Sequence, residues 1–207
     1  MTVDEVTALF TRRDGRYLFA RWGRAIVPVV FGVADETLPV VKAAIEAVVA
    51  MAGHEMAEAD AELGANLMVF FVRSWAELPD VPNLDRLIPE LAPLCKRLSA
   101  ADANQYRIFR FDPAGAIKAA FVFLRMDDHL SAVPADLLAL SQAVQVILLW
   151  SDCAFEGFSP LVHTGARAQL RPEIGALIRA GYAPVMPVMA QDASHALRLF
   201  ARISAAG

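Results

Sequence analysis

The pentapeptide His54-Glu55-Met56-Ala57-Glu58 is where residue type and spacing come nearest to a known chemistry in this 207-residue chain. In an HExxH zinc site, two histidines one helical turn apart bring both imidazoles to one metal, and the glutamate between them works on the bound water. Here the fourth step holds Glu58. Gly53 also ends the preceding periodic segment, so His54 and Glu58 are not expected to share a helical face. The segment reads as a solvated loop after a helix.

Two other stretches gather chemistry-bearing side chains. Between Ser151 and Arg171 stand Asp152, Cys153, Glu156, Ser159 and His163, enough on paper for a nucleophile with a base. Ser159 lacks the GxSxG elbow, however, and no acid is fixed by spacing relative to His163. Asp127, Asp128 and His129 follow a strand, where loops often carry sites, and could offer oxygen and nitrogen ligands; a capping loop is the plainer reading. A hydrolytic site built from these loops would draw on Asp128, His129, Asp152 and His163. His195 falls in the opening turn of the last helix, where the positive end of the dipole disfavours its charged form, and it reads as a surface residue. There is no GxGxxG or GxxxxGK[ST] phosphate loop. No metal site and no cofactor are expected.

The elements that would position these residues follow from composition and periodicity. With 57% hydrophobic and 20% charged residues, the chain can bury a continuous core, and no compositional shift marks a boundary, so a single domain over 1–207 is expected. A net charge of -4 gives no overall attraction to phosphate backbones or anionic lipid, so neither nucleic acid nor membrane is an expected partner. Cys95 and Cys153 lack metal-ligand spacing and a disulfide framework, which fits free thiols in a reducing compartment. Acidic Asp4 and Glu5 stand where a secretory signal needs basic residues, so a soluble, cytoplasmic protein is expected.

Ala25 to Val33 is β-branched and apolar, with Pro28 removing a ladder donor, which places a strand at a sheet edge. From about Asp35 to Ala52, apolar residues Leu38, Val41, Ile45, Val48 and Ala52 repeat at helical spacing, with Asp35 positioned to cap and Gly53 to stop. Leu67 to Arg73 is continuously apolar and short, as a central strand is. Leu84 to Leu98 keeps helical period, but Pro89 and Pro93 should split it. Tyr106–Phe111 and Ala116–Arg125 flank Asp112-Pro113-Ala114-Gly115, a type I turn sequence, and predict a hairpin whose second strand is covered on both faces. A buried helix follows from about Val133 to Trp150, too short and too interrupted by polar residues to span a bilayer. Then come an irregular stretch from Ser151 to Arg171 and amphipathic helices beginning near Pro172 and Asp192. The expected class is α+β: a small mixed sheet with a hairpin, packed against several helices.

Several short pieces carry a resemblance over about Tyr17 to Ile203. They are Arg21-Trp22 before the first strand, Gly64-Ala65-Asn66-Leu67 leading into the next, Gly115-Ala116-Ile117 opening the hairpin's second strand, and Leu170-Arg171-Pro172-Glu173 starting the penultimate helix. The most specific is Leu177-Ile178-Arg179-Ala180-Gly181-Tyr182-Ala183-Pro184. Together they resemble a proteobacterial domain family of unknown function, many of whose members are described as lipoproteins and whose fold is similar to the zincin metalloproteases. The resemblance leaves residues 1–16 as a flexible N-terminal extension. It also implies that the helix after the hairpin descends from an active-site helix.

In the corresponding stretch Leu138-Ala139-Leu140-Ser141-Gln142, only Gln142 is retained, and Gln145 stands where the family has a glycine. Leu138 cannot coordinate zinc and Ala139 cannot act as a general base. The resemblance therefore implies a pseudoenzyme: a zincin-like domain that binds a protein partner or a small ligand in a cleft beside this helix. Ser141, Gln142 and Gln145 form the polar stripe that would line that cleft. The alternative is a hydrolase with a relocated site in the 151–171 or 127–129 loops. A homo-oligomer, with an apolar surface around the last two helices, is a third expectation.

Overall fold

The computed structural model describes residues 1–58, 64–164 and 167–206, with the side chains of His163, Thr164, Arg167 and Ala206 outside the description. The class is α+β, with a small mixed sheet packed against several helices.

The sheet has four strands, β2 (Pro28–Phe31), β3 (Leu67–Val72), β4 (Gln105–Phe111) and β5 (Ile117–Arg125), in the order β2-β3-β5-β4. β2, β3 and β5 run parallel, and β4 pairs antiparallel to β5 as the hairpin predicted. Pro28 sits on an edge strand, where its missing N–H costs no ladder bond. The hairpin turn closes as its sequence requires. Asp112 Oδ1 accepts from the N–H groups of Ala114 and Ala116, and Gly115 takes a positive φ of 81° that a side chain would resist.

Alternation along β3 and β5 sends side chains to two separate cores. On one face Leu67, Val69, Ala120, Val122 and Leu124 pack under α2 (Leu38–Met51) and α6 (Ala135–Ile147). On the other, Phe70, Val72, Phe121 and Phe123 meet the 3₁₀ turn Trp75–Asp80 and helices α3 (Leu84–Leu87) and α4 (Leu91–Ala100). The helical segment splits as its prolines demand: α3 ends before Pro89, and α4 tolerates Pro93 in its first turn. α2 begins after Thr37 rather than under an Asp35 cap, and Thr37 makes no side-chain cap bond. Gly53, at φ 66°, follows its end.

Around this frame lie α1 (Val3–Ala8), α5 (Asp128–Ser131), α7 (Pro172–Tyr182) and α8 (Ser194–Ala206). Two small two-stranded pairs complete the chain, β1 (Phe19–Ala20) with β8 (Met189–Ala190) and β6 (Leu161–Thr164) with β7 (Arg167–Leu170).

Two expectations are corrected here, and the capping role read for the 127–129 segment is found. Residues 1–16 are no flexible extension: Thr2 and Glu5 form a capping box on α1, Val6 and Phe10 are fully buried, and the Phe10 ring stacks on Trp150 at 5.4 Å. Ser151–Arg171 is not irregular throughout, since it contains the β6–β7 pair. The acidic 127–129 segment is a helix start, with Asp127 capping α5 through a bond from Leu130 N–H to its Oδ1.

The last turn of α6 is fixed without a glycine. Its free carbonyls are met by aromatic donors from elsewhere in the chain. Trp150 Nε1 donates to Val144, Trp22 Nε1 to Val146 and the Tyr182 hydroxyl to Ile147, each at 2.8 Å. The chain then leaves extended through Leu148, which bridges to Arg21. Among the described residues, no helix is long and apolar enough to cross a membrane.

Candidate functional site

β4 is one of the two edges of the sheet, and beside it lies a groove of about 580 Å³. One wall is β4 itself and the other is the chain from Leu149 to Glu156, held in place by the α6 terminus described above. Gln145 reaches the groove from α6, and Arg12 comes from the turn after α1.

Gln105, Arg107 and Phe109 share one face of β4, the face toward α6. Arg107 Nη2 donates to Gln142 Oε1 at 2.6 Å and to Gln105 Oε1 at 3.0 Å. Gln142 Nε2 in turn donates to Gln105 Oε1 at 2.9 Å, closing a three-residue ring of bonds between strand and helix. Gln142 is the buried member of this ring, at 5% exposure. Burial pulls the Arg107 guanidinium down to about 10, still far enough above neutral pH to keep its charge. Its Nε is buried without a partner, and among the described residues no carboxylate pairs with it. A buried cation is ordinarily matched by an anion, because amide oxygens return only part of the lost hydration.

Charge around the groove is uneven. At its rim Asp152 and Glu156 are engaged by Arg13, through its backbone N–H and guanidinium to Asp152 and its guanidinium to Glu156. Arg12 lies close enough to Asp14 for its charge to help hold that carboxyl below the usual range, without forming an ion pair among the described residues. The groove thus offers two cations, Arg12 and Arg107, beside aromatic surface from Phe109, Trp150 and Phe155.

Of the stripe expected to line a cleft, Gln145 does line the groove, and its Nε2 also donates to Ser141 Oγ at 3.0 Å. Gln142 is engaged within the protein and orients Arg107. Of the loop candidates, Asp152 lies at the groove rim, whereas Asp128 and His129 are exposed on α5. The His163 backbone pairs with Ala168, and its side chain lies outside the described part. Ser151 Oγ donates to the Thr11 carbonyl at 2.7 Å and lies 3.2 Å from Cys153 Sγ.

Among the described residues, no histidine hydrogen-bonds a carboxylate. His54 is half-buried rather than solvated, its Nε2 donating to the Arg24 carbonyl at 2.8 Å, and burial holds its pKa down. His195 is not a surface residue: it is 3% exposed, with Nδ1 2.8 Å from the Tyr17 hydroxyl. No three His, Cys, Asp or Glu side chains among the described residues gather as a metal site.

Sequence reasoning missed Gln105, Arg107 and Arg12. The available signal was an arginine on a strand whose hairpin partner reads as covered on both faces.

Compared with protein-family models, curated proteins and solved structures, the chain matches none.

Proposed function

We propose that this chain is a non-catalytic binding domain, related to the zincin-like family it resembles, that seats a carboxylate-bearing ligand against Arg107 in the groove beside β4. One observation carries the reading. A half-buried guanidinium that keeps its charge, its Nε buried without a partner, is held in the groove by two neutral amides, with no carboxylate paired to it among the described residues. A ligand carboxylate would supply the missing charge through charge-assisted bonds. The aromatic wall favours a ligand with apolar surface next to that group.

The position of α6 after the hairpin, with Gln142 facing the sheet edge, supports the family relationship. The two unpaired thiols, Cys95 buried and Cys153 half-buried, support a reducing compartment, and we place the protein in the cytoplasm on that ground.

Titration with phenylacetate and with its uncharged amide, phenylacetamide, tests the reading by calorimetry. Saturable binding of the acid, at least about tenfold weaker for the amide and lost in Arg107→Gln, is the expected result. Equal binding of the two, or none of either, would overturn it.

A further inference from the structure

We propose that the natural occupant of the groove is an extended peptide segment of a partner protein, which adds to β4 as a fifth strand and places a carboxylate side chain on Arg107. This rests on the carboxylate reading above and names the class of ligand.

The backbone of β4 makes the argument. Arg125 N–H donates to the Asn104 carbonyl at 2.8 Å, directly across from it, which fixes the phase of the antiparallel ladder. In such a ladder, alternate residues turn their N–H and C=O groups toward the partner strand and away from it. Asn104, Tyr106, Ile108 and Arg110 therefore face β5, and the groups of Gln105, Arg107 and Phe109 face outward. β4 ends the sheet, so these outward groups have no strand partner among the described residues. Gln105, Arg107 and Phe109 are among the residues that line the groove. An exposed edge of this kind is a template for strand addition, in which main-chain bonds give affinity and side-chain pockets give specificity.

Charge complementarity selects the occupant. Arg107 shares its residue position with one pair of outward backbone groups, so a strand docked there brings a side chain alongside the guanidinium. The rim acids are already taken by Arg13, which leaves Arg12 and Arg107 to attract an acidic segment. The opposing explanation is that the inward-facing charge only guards the edge against self-pairing.

Two libraries of acetylated, amidated nonapeptides with randomised flanks, one with a fixed central glutamate and one with glutamine, are passed over the immobilised full chain. Retained peptides are then resynthesised with N-methyl groups on alternate amides. The proposal expects at least tenfold enrichment of the glutamate library, loss of binding in one N-methyl phase only, and slowed amide exchange at Gln105, Arg107 and Phe109. Equal retention of both libraries, or binding that survives both N-methyl phases, overturns it. Phenylacetate binding with no peptide retained sinks this inference and leaves the carboxylate reading standing; the loss of both sinks both. An edge guard alone predicts no enrichment, and self-association of Arg107→Gln. The peptide comparisons use the unaltered chain, so they do not depend on how that variant folds.

Discussion

Arg107 Nη2 and Gln142 Oε1 meet at 2.6 Å across the gap between β4 and α6, so a cation on the sheet edge is anchored by the helix that the sequence marks as lacking catalytic groups. The bond gives Gln142 a role that a polar stripe alone does not: it holds the guanidinium against the groove.

That relationship is measurable as a coupling. Gln142→Leu leaves Arg107 with Gln105 as its remaining acceptor and should lower stability by about 1–3 kcal/mol, the usual cost of an acceptor lost beside a buried donor. In an Arg107→Met background no cation remains to be satisfied, and the same change should cost much less. Denaturant unfolding of the four proteins gives the coupling directly. Additive effects would mean that the bond carries no weight.

The N-terminal helix belongs to the core. Phe10 is fully buried, stacks on Trp150 and meets Phe19 edge-on at 5.2 Å. Phe10→Ala should cost about 3–5 kcal/mol, as truncation of a buried aromatic does. Because Trp150 lines the groove, the variant should also weaken phenylacetate binding. Thermal melts and calorimetry check the two effects, and a melting temperature within a degree or so of the parent would contradict the packing.

Stability should fall with acid through a histidine window. Burial holds His195 down to about 4, against an ordinary value of 6.5. Between those values the unfolded chain takes up a proton that the folded ring refuses. Stability is therefore full above about pH 6.5 and declines as pH drops toward 4. At about 1.4 kcal/mol per pH unit, the loss from this group is at most about 3 kcal/mol. His54 is shifted in the same direction, so His195→Gln should flatten the slope without abolishing it. An unchanged slope in that variant, measured by urea unfolding at several pH values, would remove His195 from the account.

The parts of the fold that are legible in sequence are those built from long periodic or continuous apolar runs. The α2 pattern Val41, Ile45, Val48, the unbroken β3 run and the Asp-Pro-Ala-Gly turn each specify local structure from neighbouring residues. α1 has only six residues, too few for a helical period, and its place in the core depends on Trp150 far along the chain. β6 and β7 have four residues each, too short for alternation to stand out. His195 is buried because Tyr17 and Phe19 come to it from the other end of the sequence. The site follows the same rule. Gln145 could be placed beside a cleft from helical spacing, but Arg107 acquires its meaning from Gln142, 35 residues away, and from having no carboxylate paired to it among the described residues.

The most direct test follows the Arg107 Nε–H resonance by nuclear magnetic resonance as phenylacetate is added. The account predicts a saturable shift of that signal, matched in the Gln142 side-chain amide and absent with phenylacetamide. Phenylacetate that binds while both signals stay still would contradict it.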